Sequence, residues 1–323
     1  MKDLLFVSAQ PDKPYFHWQV KLYVYNFIKN GIDPNQINVL FGIVEGNNEP
    51  SKEAIELKKL GINVYFYKDD RDDKSYIPSI KPYLIWKWLT EYPEKGKLLF
   101  LHDSDIIFTK EFNVSNLLED DITYLSDTIG YIGYNYIVEC CDRYEKSHPS
   151  AEKNGLINEM SNIIGINTDI IKQNDDNSGG GQYIFKNVNA DLWCKIYNDS
   201  TPLYNQMLDY DMKHPISNGQ IQFWTAEMWS ILWNLWLKGF NTKISNEISF
   251  CWATDHIDRI KEHPILHMAG VTNNLKSLMF YKGDYIDICP IEKLKETPNY
   301  FDYVDSNNAS FFYISYMKEY LFK

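Results

Sequence analysis

The sequence is poor in cysteine, in positive charge and in long apolar runs, and each shortage excludes a class of protein. Five cysteines in 323 residues, an odd number without Cys-x-x-Cys spacing, indicate neither a zinc cage nor a disulfide framework. Lys and Arg total 32 against 44 Asp and Glu. The net charge of −12 argues against an extended nucleic-acid surface, which needs cations to neutralise phosphates. No apolar run reaches the roughly 18 residues of a membrane-spanning helix, so we predict no membrane span.

Leader sequences, repeats and flexible linkers are also missing from the pattern. Met1, Lys2 and Asp3 lead directly into a short apolar strand rather than into a secretory leader, so we expect a soluble, cytoplasmic protein. No repeat and no stretch rich in Pro, Gly or Ser divides the chain. Hydrophobic residues make up 44% and charged residues 24%, which is typical of a folded enzyme.

The first part of the chain alternates strands with helices. Apolar runs predict strands at 4–9, 37–44 and 62–67, with helices at 17–30 and 51–60 between them. This β-α-β-α-β order predicts a parallel sheet covered on both sides.

The second part of the chain has a less regular pattern. We expect strands at 122–126, 160–166 and 182–186, and a polar loop at 146–158. Helices are predicted at 83–92, from 190, at 227–238 and at the C-terminal end. The residues 173–181 read as a polar, glycine-containing turn.

Two carboxylates end the most apolar stretch of the chain. The run 98–101 is typical of a strand buried on both faces, and Asp103 and Asp105 follow it. At a strand end both carboxylates can turn toward the crevice where open α/β sheets bind ligands. Two hard oxygen ligands suit Mg²⁺ or Mn²⁺, which substrate phosphates complete. We therefore hypothesise a metal that bridges the protein to a diphosphate; the alternative is a turn in which the aspartates only bend the backbone.

His267 and Glu227 stand out by their positions. His267 ends a short apolar strand and so repeats the arrangement at Asp103. Because two carboxylates leave a divalent cation under-coordinated and imidazole suits Mn²⁺, His267 is a third candidate ligand, the alternative being a structural histidine. Glu227 opens an apolar helix, where it either caps the helix dipole or faces a bound sugar.

Lysines and glycines supply candidate contacts to phosphate. Lys81 arrives just before the apolar run and would contact a diphosphate or ribose, unless it is simply an exposed lysine. Either Lys276 or Lys282 could reach a phosphate. The glycines at 179–181 allow close approach of a ligand or form a tight hairpin. Because no Lys-Ser/Thr pair follows them, they are not a nucleoside-triphosphate loop.

Taken in order, these parts resemble the GT-A glycosyltransferases. More narrowly, the chain is similar to the plant hydroxyproline O-arabinosyltransferase and peptidyl serine α-galactosyltransferase group, over roughly residues 4 to 285. The matching motifs are Pro14-Tyr15-Phe16-His17-Trp18-Gln19, Lys81-Pro82-Tyr83, Trp88-Leu89, Leu101-His102-Asp103-Ser104-Asp105, Gly180-Gly181-Gln182-Tyr183, Thr225-Ala226-Glu227-Met228 and Leu266-His267.

The resemblance implies a fold and a domain organisation. The fold class is α/β, a GT-A type nucleotide-diphospho-sugar transferase fold with a mostly parallel, Rossmann-like central sheet flanked by helices. A single domain would span 1–290, with a nucleotide-binding half at 1–110 and an acceptor and sugar half at 111–290. A helical extension would follow at 291–323.

The resemblance also implies a UDP-sugar donor, Mn²⁺ or Mg²⁺, and a glycan, peptide or other hydroxyl-bearing acceptor. The implied metal ligands are Asp103, Asp105 and His267. The residues expected at the nucleotide and its phosphates are Ser8, Gln10, Trp18, Lys81, Asp103 and Lys282. The residues expected to face the transferred sugar are Gly181, Gln182 and Glu227.

The expected chemistry is metal-assisted sugar transfer, for which the resemblance favours retention of configuration. The carboxylate of Glu227 or the amide of Gln182 would stabilise the positive charge that forms on the sugar. The plant relatives work in the secretory pathway behind a membrane anchor that this sequence does not show, which puts a peptide acceptor in doubt. Two alternatives stay open: a haloacid-dehalogenase-like phosphatase, and a carbohydrate-binding protein without catalytic activity.

Overall fold

The structure is a computed structural model that describes residues 1–44 and 46–322. The strands are β1 Leu5–Pro11, β2 Ile37–Ile43, β3 Asn63–Lys68, β4 Leu98–Leu101, β5 Ile106–Phe108, β6 Thr123–Asp127, β7 Gly179–Lys186, β8 Thr242–Ile244, β9 Phe250–Trp252 and β10 Ile265–His267. The α-helices are α1 Pro14–Lys29, α2 Lys52–Glu56, α3 Ile80–Glu91, α4 Ile129–Ile132, α5 Tyr134–Ser147, α6 Gly155–Ile164, α7 Thr168–Gln173, α8 Ala190–Lys213, α9 Ala226–Leu237, α10 Arg259–Glu262, α11 Pro290–Glu296 and α12 Ala309–Leu321.

Seven strands form the main sheet, in the order β3-β2-β1-β4-β7-β6-β8, and β5-β10-β9 form a smaller one. β2 lies parallel to both β1 and β3, with Leu40 opposite Ala9 on one side and Tyr65 on the other. β6 is parallel to β8 and antiparallel to β7. The chain is therefore α/β, with a mostly parallel central sheet flanked by helices, and this part of the predicted fold class is confirmed.

The chain divides into two compact units, of which the first has three segments. These are Met1–Asp69, Phe100–Asn116 and Asn246–Lys323. A phenylalanine cluster forms much of its core: Phe27 and Phe112 each stack on Phe108 with ring centroids 4.1 Å apart. The α12 helix is tied to α1, where the Tyr25 hydroxyl donates to Glu319 at 2.8 Å.

The second unit has two segments, Asp70–Leu99 and Leu117–Ser245. Its centre is α9, in which every residue from Ala226 to Trp236 is buried. Because a helix buried on all sides must satisfy its polar groups internally, Ser230 donates to the Ile196 carbonyl at 2.8 Å and Asn234 donates to Asp199 at 2.8 Å. Both acceptors lie on α8, so the two helices are held by hydrogen bonds as well as by packing.

The predicted strand at 160–166 is wrong, and the polar loop predicted at 146–158 is confirmed only for residues 148–154. The region contains the end of α5 and the helix α6, Gly155–Ile164. The buried residues Leu156, Ile157, Met160 and Ile164 follow the period of a helix, not of a strand. Leu156 and Ile157 belong to this helical pattern, but the sequence pattern had placed them in the predicted loop.

Two smaller corrections concern the candidate site. The helix predicted at 83–92 begins earlier, at Ile80, so Lys81 lies in its first turn rather than in a preceding loop. Pro82 is compatible with this start because the first N–H groups of a helix have no acceptor within the helix. The glycines 179–181 are not a turn: they begin the buried strand β7.

Within residues 1–44 and 46–322, no helix combines the length and the apolar character needed to cross a membrane. The predicted domain division at residue 110 and the extension at 291–323 stay predictions. Lys323, the last residue of that extension, lies outside the described part of the chain.

Candidate functional site

The two aspartates lie in the short connection between β4 and β5. The His102 N–H still donates to the Val7 carbonyl at 3.0 Å, so the strand pairing persists up to the residue before Asp103. Ile106 then begins β5. Asp105 is buried, whereas the side chain of Asp103 keeps 29% of its exposure. The connection thus presents one buried and one accessible carboxylate.

Strand pairing brings His267 to these carboxylates. β10 runs antiparallel to β5 with His267 opposite Ile106, and the Met268 N–H donates to the Asp105 carbonyl at 2.9 Å. The Nε2 atom of His267 lies 3.3 Å from Asp105 Oδ1 and 3.6 Å from Asp103 Oδ2. One ligand atom from each residue falls within 4.8 Å of the others. The structure therefore brings together the three predicted metal ligands.

The donor set fits a divalent transition metal. Carboxylate oxygens and an imidazole nitrogen are ligands that Mn²⁺ accepts together. Trp252 stacks on the His267 ring, with centroids 5.5 Å apart, which fixes the plane of the imidazole. The Nδ1 atom of His267 is buried without a partner among the described residues, so Nε2 is the ring atom that faces the carboxylates. Whether a metal binds here is a proposal.

Lys282 places a positive charge beside the cluster. It begins a short 3₁₀-helix, Lys282–Tyr285, and its ammonium group donates to Asp105 Oδ2. Burial opposes ionisation of Asp105, but the charges of Lys282 and His267 outweigh it and hold the pKa of Asp105 far below its usual range. For Lys282, burial is the largest single effect and lowers the pKa, but the charge and hydrogen bond of Asp105, with the charges of Tyr15 and Asp103, together outweigh it, so the pKa is raised. Asp105 is therefore an ionised carboxylate and Lys282 a protonated ammonium group.

In the second unit, Lys81 and Glu227 form a buried ion pair. Their Nζ and Oε1 atoms are 2.5 Å apart, and their side chains are 14% and 5% exposed. The Glu227 N–H donates to the Tyr76 hydroxyl at 3.0 Å, and that hydroxyl donates to the Trp224 carbonyl at 2.7 Å. Tyr76 thus fixes the start of α9, and Glu227 does more than cap a helix because a cation neutralises it.

Gln182 lies on β7 with half of its amide satisfied. Ser126 Oγ donates to Gln182 Oε1 at 2.9 Å, while Gln182 Nε2 is buried and has no partner among the described residues. Ser126 occupies a register shift in β6 between Leu125 and Asp127, the kind of bulge that re-aims a side chain. A buried donor without a partner is costly in a folded protein, so this amide is suited to a ligand hydroxyl.

Gly181, one residue earlier, has a backbone conformation that favours glycine. Its φ is +80°, and a Cβ built there would meet no atom within 4 Å. The residue is therefore kept as glycine by its backbone angle, and the space beside its α-carbon is open.

The three residues expected near the uridine are all buried in the first unit. Ser8 is hydrogen-bonded to the Tyr23 hydroxyl at 2.8 Å, and Gln10 donates to the Leu40 carbonyl at 3.1 Å. Trp18 is 1% exposed, and its indole donates to the Tyr285 carbonyl at 3.2 Å. Their side chains support the fold, and their role at the nucleotide stays a prediction.

Sequence reasoning did not identify Trp252, Tyr76 and Ser126. Trp252 lies directly opposite His267 in the β9–β10 pair, so the strand pattern could have suggested it. Tyr76 follows an acidic loop and Ser126 ends a strand, and neither position carries a signal that distinguishes it from an ordinary surface or core residue.

No protein-family model and no curated protein matches the chain, and its similarity to solved structures is low. It is similar to "WbbM bifunctional glycosytransferase apo structure" with 11% identity and a TM-score of 0.45, covering 93% of this chain and 51% of that one. A glycosyltransferase "involved in the glycosylation of the major capsid of PBCV-1" gives 8% identity and a TM-score of 0.35, covering 83% and 94%. The galactosyltransferase LgtC in complex with donor and acceptor sugar analogs has 13% sequence identity to this chain and a TM-score of 0.43. The match covers 90% of this chain and 99% of that one.

The chain thus spans about half the length of the first of these proteins. All three similarities have TM-scores below 0.5 and so identify no function for this chain. The functional assignment rests on the motifs and on the geometry of the two clusters.

Proposed function

We propose that this chain is a metal-dependent glycosyltransferase of the GT-A type, which moves a sugar from a UDP-sugar to a hydroxyl acceptor with retention of configuration. The observation that carries the proposal is the convergence of Asp103, Asp105 and His267, from distant parts of the sequence, beside the charged Lys282. The ordered motifs that resemble this enzyme class supply the donor and the stereochemistry.

Asp103, Asp105, His267 and Lys282 would hold the nucleotide end of the donor. Asp103, Asp105 and His267 would bind Mn²⁺ or Mg²⁺, and such a cation would neutralise charge on the departing diphosphate. The Lys282 ammonium would add a permanent positive charge to the same phosphates. Near the base, Ser8, Gln10 and Trp18 would shape the pocket wall through their fixed positions rather than through free polar atoms.

Gln182, Gly181 and Glu227 would contact the sugar of the donor. The unpartnered Nε2 of Gln182 would donate to a sugar hydroxyl and orient the ring, and Gly181 would allow the ring to approach the backbone. The carboxylate of Glu227 would stabilise positive charge on the sugar, with Lys81 holding the carboxylate in place. A preorganised charge of this kind usually supplies the largest catalytic term.

A thermal-shift series with nucleotides tests the proposal. The protein is scanned with UDP-, GDP- and CMP-sugars, each with and without Mn²⁺, and then with EDTA. A donor that binds only the native state at a hundred times its dissociation constant adds about 2.7 kcal/mol of stability. We expect stabilisation by a UDP-sugar that EDTA abolishes and that Asp103→Asn greatly reduces, together with release of UDP when an acceptor is present.

Other outcomes identify the alternatives. Hydrolysis of p-nitrophenyl phosphate that depends on Asp103, without a response to any sugar nucleotide, would replace the proposal with a phosphatase. Absence of both responses, with binding of free glycans retained, would indicate a carbohydrate-binding protein.

A further inference from the structure

Trp224 is the exposed exception among the tryptophans of the second unit. Its side chain is 54% exposed, whereas Trp229 and Trp233, on the helix that follows, are fully buried. It lies in a single 3₁₀ turn, Phe223–Thr225, just before α9. A large ring on the surface is a common centre of binding energy, because stacking on it buries much apolar area.

The turn that carries Trp224 is firmly held although the indole is not covered. The Trp224 carbonyl accepts a hydrogen bond from the Tyr76 hydroxyl at 2.7 Å. The Tyr76 ring meets the Trp224 indole edge-to-face, with centroids 5.8 Å apart. Tyr204 stacks on the Tyr76 ring, with the ring centroids 4.5 Å apart. The exposed indole therefore rests on two fixed rings, so a ligand would find it preorganised.

A groove on α8 extends away from these rings. A cavity of about 180 Å³ is lined by Tyr197, Asn198, Thr201 and Asn205 of α8 and by Asp72 and Asp73 opposite them. Tyr197 and Tyr204 are seven residues apart, so they share one face of the helix and are separated by about 10 Å along it. Trp86 stacks on Tyr197 with centroids 5.9 Å apart. We call this cavity, together with the neighbouring rings of Trp86, Tyr204 and Trp224, the α8 groove.

The groove is polar between its aromatic ends. Asp73 accepts from the Ser75 N–H at 2.8 Å and is hydrogen-bonded to the Asn205 side chain, which ties the two walls together. Pro202 has no N–H and so cannot donate the helical hydrogen bond to the Asn198 carbonyl. This carbonyl is a further acceptor at a residue of the lining. Acceptors thus outnumber donors here, which suits a ligand rich in hydroxyl groups.

The charge of the lining narrows the class of ligand. Among the described residues that line the cavity there are two aspartates and neither lysine nor arginine, so phosphate or nucleic acid would be repelled. An apolar helix of a partner protein is a poor ligand as well, because it would cover the carboxylates and amides of the lining without pairing them. An uncharged, polyhydroxylated chain with flat apolar ring faces satisfies both the aromatic ends and the polar middle.

We propose that the α8 groove binds the acceptor of the transfer reaction, an uncharged oligosaccharide with one sugar ring stacked on Trp224. This inference rests on the proposed function. The Tyr76 hydroxyl links the Trp224 carbonyl to the Glu227 N–H, so the platform is fixed relative to the carboxylate assigned to the transferred sugar. The reacting end of the acceptor therefore lies at Trp224, and the rest of the chain extends toward Tyr197 and Trp86.

The test uses an array of uncharged oligosaccharides of glucose, galactose, mannose and N-acetylglucosamine in graded lengths. Binding to the full chain is measured by saturation-transfer NMR, and the best binder is then assayed as an acceptor. We expect Trp224→Ala to weaken binding about tenfold or more, which corresponds to about 1.4 kcal/mol, since the variant loses both the stacking and the buried apolar area. Trp224→Phe should restore most of the affinity. The matched control is Phe322→Ala, which removes another exposed ring (67% exposed) from a distant part of the sequence.

Thermal shifts with UDP-sugars, run on the same variants, separate this inference from the proposed function. An unchanged donor shift in Trp224→Ala, with weakened glycan binding, supports the groove. Equal glycan binding by wild type and Trp224→Ala overturns it, as does binding of only charged glycans, while the donor shift would still support the enzyme. Glycan binding that depends on Trp224 without any donor shift keeps the groove and rejects the transferase.

Discussion

At the scale of single residues, Lys282 is the side chain whose removal should have two opposite effects. It neutralises Asp105 within the cluster of potential metal ligands, so the cluster holds a built-in cation. Because a divalent metal would compete with this ammonium group for the same carboxylate, the lysine stabilises the metal-free protein and opposes metal binding.

We expect Lys282→Met to destabilise the metal-free protein by about 3–5 kcal/mol, since it leaves a buried charge without its partner. Mn²⁺ affinity should instead rise, roughly tenfold for each 1.4 kcal/mol of lost competition. Urea unfolding and calorimetric Mn²⁺ titration measure the two effects. Lys276→Met is the matched control, because this lysine is exposed and only 3.7 Å from the equally exposed Asp284. Weaker Mn²⁺ binding by Lys282→Met would contradict the competition.

Ser126 is the second residue with a defined role, because it orients Gln182. We expect Ser126→Ala to lower kcat about tenfold or more with little change in the KM for the donor, since the amide loses its preferred orientation and one hydrogen bond worth about 1 kcal/mol. Steady-state kinetics at varied donor concentration provides the measurement.

The same strand offers the control. Thr123 also has a buried hydroxyl, but this one has no partner among the described residues, so Thr123→Val should leave kcat unchanged. If both variants lost activity equally, the effect would belong to the packing of β6 and not to the position of Gln182.

At the scale of elements, a small buried network connects the end of β1 with two helices. Asp12 accepts from His17 of α1 at 2.6 Å and from the N–H of Ser51 at 2.7 Å, and Ser51 is the N-cap of α2. Burial raises the pKa of Asp12, but the hydrogen bonds from His17 and Ser51 together outweigh it, so the pKa is lowered. One carboxylate thus joins β1, α1 and α2 of the first unit.

This network should make stability depend on pH in a defined window. A carboxylate with a lowered folded-state pKa contributes stability above its ordinary value of about 3.9 and loses it as pH falls through the folded-state value. We expect Asp12→Asn to be less stable than wild type at neutral pH, with the difference shrinking below about pH 4. Urea unfolding across this range tests it, with the exposed Asp3→Asn as control. A difference that stays constant with pH would exclude the carboxylate as its source.

Elements also show how far the sequence could predict the fold and the site. Apolar strands that end on Asp103 and His267 predicted that these side chains meet, because strand ends in such folds gather at one edge. The helix α6 was missed because its apolar residues were divided between a loop and a strand. The Ser126–Gln182 contact depends on a bulge, which only strand pairing reveals. Tyr76 acts through a contact between residues far apart in sequence, which no local pattern encodes.

At the scale of the whole molecule, the units are not consecutive stretches of sequence. The first unit takes its last segment, Asn246–Lys323, from the far end of the chain, and this segment supplies both β10 and α12. The strand β5 pairs with β10, and α1 carries the ion pair from Lys29 to Glu319 of α12. A cut at residue 110 therefore removes the strand that pairs with β5 and the helix that is tied to α1.

We expect the fragment 1–110 to lack cooperative folding, since β5 would have no partner strand and the buried face of α1 would lose its cover. Far-UV circular dichroism during urea unfolding and the dispersion of amide NMR signals measure this. The full chain, treated identically, is the reference. A fragment with a sharp transition and well-dispersed signals would establish residues 1–110 as a domain in its own right and favour the division predicted from the sequence.

The pairing of His267 with the residue after Asp105 also sets the order of events during synthesis. The two aspartates are translated well before His267, and the long segment Leu117–Ser245 of the second unit is made between them. Contacts between such distant residues form late, because a long loop must close before they bring any gain. The three-residue cluster therefore cannot assemble on the nascent chain until the segment that contains β10 has been translated, and a cation with high affinity for it would be captured only after that point.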